Sequence, residues 1–273
     1  MAATEQVKSP AATGGWSQTG RVSDRDTNLI RIGIVLGVAI LWEAVSRSGL
    51  LFRDVVPSLL AIGASIGKLL MNPAFWGNLQ VTAWEVFVSL AIGSTLGIFV
   101  GILLGANKFL AAAYEPYVYY LAPTPRIIFF PVMIMWFGVG TGSKIAMGAL
   151  SCFFPIAISA AAGMRQIDRV LIRVGRSFRA TEWQMVTKIY LPAMREPIIN
   201  GIRLGLGVAI VGTLLAETKL SNKGLGYLVI QAYALFDMPK MYALVIVLFV
   251  LSIGVNVLLG KLRGGAGANA QRR

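Results

Sequence analysis

Six stretches of this chain are long and apolar enough to cross a lipid bilayer, and nothing else in the sequence limits the fold as strongly. A spanning helix needs about 20 mostly apolar residues. The stretches lie near Leu29–Val45, Thr82–Leu104, Val118–Phe137, Lys144–Gly163, Ile198–Ala216 and Met241–Leu262. Charged residues make up only 14% of the chain, against about 25% in soluble domains. A chain this apolar cannot cover itself with polar surface, so most of its exterior faces lipid. The expected fold is all-α, a polytopic integral membrane protein of about six transmembrane helices. The stretch Pro57–Met71 is amphipathic and too short to span, and is expected to lie at the membrane surface. Residues 1–28 are polar and lack the apolar core of a signal peptide. They read as a disordered cytoplasmic tail, residues 29–262 as the transmembrane domain and 263–273 as a second cytoplasmic tail.

The sequence holds no histidine and one cysteine, Cys152. That leaves no Cys/His metal site, no Ser/His or Cys/His nucleophilic pair and no disulfide within one chain. Cys152 sits in an apolar run and reads as a small buried side chain. No cluster of carboxylates is available either, so no catalytic constellation forms and an enzyme is not expected. The net charge of +13 would suggest nucleic acid in a soluble protein. Here the cations flank apolar stretches, so they set membrane orientation and no nucleic-acid partner is expected. With the amino end inside, 17 Lys and Arg fall on the inner side and 7 on the outer, Arg126 within the third stretch aside. Both termini are therefore expected in the cytoplasm.

Gly93, Gly97, Gly101 and Gly105 recur every fourth residue, giving one smooth stripe on a helix that lets another backbone approach closely. Gly201 and Gly205 repeat that spacing in the fifth stretch. The third stretch holds Pro123, Pro125 and Pro131, so it is expected to be kinked or partly unwound. Broken backbone at membrane depth must be buried or line a cavity. Met133, Trp136 and Thr213 are accordingly candidates for a translocation path.

The segment 164–197 is long for a connection between helices. Met164, Ile167, Leu171, Val174 and Phe178 recur at helical spacing, and Arg165, Arg169, Arg173 and Arg176 recur on another face. Thr181 has the character of an N-cap, with Gln184 completing a capping box. A second short helix is expected from Glu182 to about Tyr190, stopping before Pro192. The result is a basic, amphipathic helix–turn–helix on the cytoplasmic face. Charge alone leaves open whether it lies on anionic headgroups or docks a protein.

This segment resembles the cytoplasmic motif E-A-A-x3-G-x9-I-x-L-P of bacterial importer permeases of the ATP-binding-cassette class. Arg173-Val174-Gly175 stands at the E-A-A, Arg179 at the motif glycine, and Ile189, Leu191 and Pro192 match in identity and spacing. Arg173 and Arg179 are departures, and Arg179 bears on the turn, because a side chain there costs more than glycine if φ is positive. Further likeness is to the nitrate/sulfonate/taurine/bicarbonate type of these permeases, over roughly residues 29–262. It rests on Leu41-Trp42-Glu43, Pro57-Ser58, the glycine ladder, Pro125 and Pro131 ahead of Trp136-Phe137-Gly138, and Ala216-Glu217 ahead of Gly224-Leu225-Gly226-Tyr227. Glu85 stands where many relatives have Arg.

The resemblance implies the fold of a type I importer permease in the bacterial inner (plasma) membrane. It implies a second permease copy, a cytoplasmic ATP-binding subunit on the helix–turn–helix, a periplasmic or other extracytoplasmic solute-binding protein, and import of a small anion. The coupling residues would be Arg173, Val174, Gly175, Arg176, Ser177, Phe178, Arg179, Ala180, Trp183, Ile189, Leu191 and Pro192. ATP and magnesium would belong to the partner, and this chain would bind no cofactor. The sequence agrees in one respect: Gly138 to Lys144 is glycine-rich but lacks the spacing of a phosphate-binding loop. The alternative is an ion-coupled secondary transporter or channel, for which Glu43, Glu85 and Glu217 are the acidic candidates, each near a predicted span end.

Overall fold

A computed structural model of the protein describes residues 24–49 and 55–267, and those residues form helices and short connections. The chain divides into two units, 1–53 and 54–273. The first contributes α1 (Asp24–Ser48), an apolar helix of spanning length in which Arg47 pairs with Glu43 one turn away. Helix α1 takes in Asp24–Asn28, which the sequence assigned to the tail, and residues 1–23 lie outside the described part.

The second unit is organised by α3 (Pro73–Ala106), α6 (Thr141–Arg165) and α10 (Arg195–Lys219). Helix α6 lies between the other two, and glycine makes both contacts possible. A Cβ on Gly97 would lie 3.0 Å from Ile156 and from the Phe153 carbonyl, and one on Gly93, Gly101 or Gly105 would strike Cys152, Ala160 or Met164. On the opposite side, Gly201 and Gly205 admit Ser159 and Ile156, while Gly148 of α6 admits Ser89 and Thr213. The stripe is thus a packing seam within one chain. Cys152 is fully buried in it, as expected.

These contacts also fix direction. Along α3 and α6 the contacting residues rise together, from Gly93 with Cys152 to Gly105 with Met164, so the two helices run parallel. Along α6 and α10 they run in opposite order, from Gly163 with Pro197 to Gly148 with Thr213. Two parallel spans require the chain between them to recross the membrane. That return is made by α4 (Lys108–Leu121), a 3₁₀ turn at Arg126–Phe129 and α5 (Phe130–Phe137), which meet at 97°. The break expected from the prolines is present, but the crossing is a bent pair that begins at Lys108 rather than near Val118. Pro123 and Pro125 at the bend cannot donate to the helical ladder, and Pro131 opens α5 where its missing N–H is harmless.

The other spans are longer than their apolar runs. Helix α12 runs Met238–Gly267, past the expected end near Leu262, and residues 268–273 lie outside the described part. Helix α3, about 51 Å long at 1.5 Å per residue, exceeds a hydrocarbon core of about 30 Å. Its first turns join an outer layer. There Phe75 packs with Leu69 of α2 (Leu59–Met71), with Leu225 and Ala232 of α11 (Leu225–Ala234), and with Leu244 of α12. Helix α11 was not foreseen, since ten residues bounded by glycine and a turn fall short of a spanning signal. Its end closes on Phe236 at φ 56°, with the Asp237 amide donating to Ala232 (2.9 Å) and the Phe236 amide to Tyr233 (3.0 Å).

The seam makes a direct prediction. Gly101→Leu drives a branched side chain into the backbone of α6, and overpacking of this kind costs about 1–3 kcal/mol. Gly207→Ala meets nothing within 4 Å and, in the interior of α10, raises stability by about 0.5–1 kcal/mol. Thermal unfolding of the two variants in detergent checks the contrast.

Candidate functional site: a helix–turn–helix and a buried polar clasp

The segment between α6 and α10 folds as α7 (Arg169–Ser177), α8 (Glu182–Met185), a π-helical turn at Val186–Tyr190 and α9 (Leu191–Ala193). Each boundary has a local cause. Asp168 caps α7 through the Val170 amide at 2.8 Å. The predicted capping box is present: Thr181 Oγ accepts from the Gln184 amide (3.3 Å) and the Thr181 amide donates to Gln184 Oε1 (2.9 Å). Helix does not stop before Pro192, which corrects the expectation. The wider turn immediately ahead, where the Leu191 amide donates to Val186, makes room for a ring without an N–H, and the helical path continues through Ala193.

Between α7 and α8 the chain reverses on Arg179, whose φ is +53°. The Ala180 amide donates to Gly175 (3.1 Å) and the Arg179 amide to Arg176 (2.9 Å). These paired bonds satisfy the last carbonyls of α7. The turn expected of the motif glycine is thus kept with Arg in its place, and the left-handed backbone costs about 1–2 kcal/mol in a residue with a Cβ. Gly175 is buried against the side-chain ends of Ile189 and Met185, which explains a small residue at that motif position.

The apolar residues of the segment divide into two sets. Ile167, Met185, Tyr190 and Met194 pack with Ala160 and Met164 at the end of α6, joined by Ile172, Ala180 and Ile189. Val170, Leu171, Val174, Phe178 and Trp183 face outward, with Phe178 83% and Trp183 75% exposed. The stripe read from sequence therefore splits. Met164 and Ile167 anchor the element, Leu171, Val174 and Phe178 are presented, and Ala180 belongs to the inner face. Arg173, Arg176, Ser177 and Arg179 are exposed around Phe178, Leu191 is half-buried and Pro192 exposed.

Of the path candidates, Met133 is half-buried and Trp136 exposed on α5, whereas Thr213 is fully buried between α10 and α6. Arg126, at the bend, holds its guanidinium 5.6 Å from the Phe154 ring and donates to the Ala122 carbonyl.

Sequence reading missed a second polar constellation. Glu85 is 1% exposed, twelve residues into α3, and Glu217 is 0% exposed, two residues before the end of α10. Glu217 accepts from Thr82 Oγ and from the Gly226 amide, each at 2.6 Å. Thr82 in turn accepts from the Leu225 amide (2.8 Å), and Asn78 accepts from the Gly224 amide (2.7 Å). Three free amides at the start of α11 are thereby met by α3 and α10. Lys144 of α6, itself buried, donates to the Val139 and Gly140 carbonyls (2.6 and 2.9 Å). Gly224 at φ +107° abuts the Glu217 carboxylate, which leaves no space for a side chain. The acidic residue ahead of a G-x-G turn was the available signal.

Two substitutions test these local accounts. Arg179→Gly relieves the left-handed turn and raises the unfolding free energy by about 1 kcal/mol. Glu217→Ala strands two buried donors and destabilises by about 1–3 kcal/mol. Denaturation in detergent, with α11 followed by hydrogen exchange, reads both.

Comparison with known proteins follows from this geometry. Residues 93–263 match the family described as binding-protein-dependent transport system inner membrane component. The putative aliphatic sulfonates transport permease protein SsuC of Bacillus subtilis (strain 168) is 31% identical over 217 residues, covering 79% of each chain. The taurine transport system permease protein TauC of Escherichia coli (strain K12) is 28% identical over 244 residues, 85% of this chain and 88% of that one. The fold matches a chain of the inward-facing MetNI methionine ABC transporter with a TM-score of 0.61 at 22% identity, covering 70% of this chain and 96% of that one. The family match takes in the glycine seam and the helix–turn–helix, and the chain belongs to the family of binding-protein-dependent inner-membrane transport components, as a permease subunit of an ATP-binding-cassette importer.

Proposed function

We propose that this permease imports a small sulfonate, of the kind represented by taurine and the alkanesulfonates, and is driven by an ATPase subunit docked on residues 164–197. The substrate class is supported by the sulfonate and taurine permeases among its relatives. One observation carries the docking site: Phe178 and Trp183 stand in the open at the tip of a well-anchored element, ringed by Arg173, Arg176 and Arg179. Covering a phenylalanine is worth about 1.5–3 kcal/mol, so a partner surface that buries the pair gains an anchor, and the arginines at its rim tune rate and salt dependence.

The mechanism follows from how the element is held. ATP and magnesium bind the partner, and closure of the ATPase dimer moves the docked turn. Because Ile167, Met185, Tyr190 and Met194 are packed onto the end of α6, the turn cannot move independently of it. Helix α6 is locked to α3 and α10 along the glycine seam, so the displacement is delivered to the spans as one body. Two copies of the chain enclose the path, and an extracytoplasmic binding protein delivers the substrate. Met133 and Trp136, on the bent crossing, face the path. Thr213 joins it only in a state where α10 parts from α6. Helix α2 is too short to cross, so both chain ends share the side of the docking element, which the cation bias assigns to the cytoplasm.

Phe178→Ala weakens ATPase binding by about 2 kcal/mol or more and Arg176→Ala by less, while both variants insert normally. Pull-down of the ATPase, with sulfonate uptake into vesicles alongside, measures this. A Phe178→Asp variant that binds its ATPase and transports at full rate would reduce the element to a headgroup-binding surface.

A further inference from the structure

Helices α10 and α12 leave between them an apolar groove of about 440 Å³, walled by Leu206, Ile210, Leu214, Leu248, Phe249 and Ile253. At its inner end is Asn256, which also lines a neighbouring cavity with Asn200 and Arg203. Arg203 lies about two turns inside α10 from its cytoplasmic start, at a depth where an unpaired cation is costly. Its Nε donates to Asn256 Oδ1 at 3.3 Å. Among the described residues no carboxylate pairs with it. Its terminal amino groups lie beside Gly260, where a Cβ would stand 3.5 Å away.

A long apolar trough closed at its cytoplasmic end by a guanidinium and a carboxamide has the chemistry of an anionic phospholipid site. We propose that one acyl chain lies in the α10–α12 groove and that the phosphate is held by Arg203 beside Asn256. Leu204, Phe249 and Ile253, each more than 60% exposed, surround the cation with apolar surface, which suits a lipid rather than a freely dissolved anion. A second copy of the chain offers little to meet Arg203. Among the described side chains, Glu85 and Glu217 are buried, Glu115 is taken by Arg165, Glu43 by Arg47, Glu196 stands two turns away at the helix start, and the exposed Asp168, Glu182 and Asp237 lie outside the spanning helices. Guanidinium and phosphate form a strong, charge-assisted pair.

The test uses the full-length chain, stripped of lipid in a neutral detergent. Phosphatidylglycerol should raise the unfolding temperature and remain bound in native mass spectrometry, whereas phosphatidylcholine with the same chains should do neither. Arg203→Gln should weaken phosphatidylglycerol binding about tenfold, and Arg203→Lys should restore part of it. Should Arg203→Gln not fold, a Phe249→Trp variant of the otherwise unaltered chain gives an independent reading. Brominated phosphatidylglycerol should quench the added tryptophan more than brominated phosphatidylcholine at equal mole fraction. Equal binding by the parent chain and Arg203→Gln overturns the proposal. So does competition by inorganic phosphate or taurine, which would make Arg203 part of a soluble-anion path. Absence of quenching at position 249 overturns it too, since protein rather than lipid would then cover the groove.

Discussion

Backbone-to-backbone contact between α3 and α6 is the interaction on which the rest of this structure depends. In lipid there is no hydrophobic drive to bring two apolar helices together, so close van der Waals packing must supply it. Glycines 93, 97, 101 and 105 remove the side chains that would hold the helices apart, and α6 answers largely with Ala149, Cys152, Ala157, Ala160 and Ala161. Because the pair is parallel, the intervening chain must recross the membrane, and the prolines that bend α4 against α5 lie in that return. Helix α10 then closes on the other face of α6 through its own glycines. One seam thus sets the direction of four crossings.

The two ends of the central bundle are finished by different chemistry. At one end, polar groups do the work: Asn78, Thr82 and Glu217 meet the free amides of α11. Unmet, those buried donors would each cost about 1–3 kcal/mol. At the other end, the packing of Ile167, Met185, Tyr190 and Met194 is apolar, and it leaves Phe178 and Trp183 exposed.

Much of this was legible in the sequence because it follows from periodicity. The spans are apolar runs, the seam is a four-residue glycine repeat, and Thr181 with Gln184 is a local capping signal that needs no tertiary information. The bent crossing was half legible: the prolines announced a break, but not that the path starts at Lys108, since Tyr114, Glu115 and Pro116 interrupt the apolar pattern there. Pro192 misled, because its usual effect on a helix is absorbed by a π-helical turn that no local pattern announces. The clasp was illegible as a unit. Thr82 and Glu217 are 135 residues apart in sequence, and only the packing of α3 on α10 joins them. The split of the 164–178 stripe into an anchoring and a presented half likewise depends on a break after Arg165 that reorients α7 relative to α6.

The central claim is that the arginine-ringed aromatic tip of the helix–turn–helix meets an ATP-binding subunit rather than lipid. The most direct measurement places a photo-crosslinking amino acid at position 178 in the assembled transporter, in native membrane vesicles, and identifies the adduct by mass. The account predicts one protein adduct, the ATP-binding subunit, formed in high yield and lost when that subunit is stripped from the membrane. An adduct to phospholipid alone, unchanged by removal of the ATPase, would contradict it.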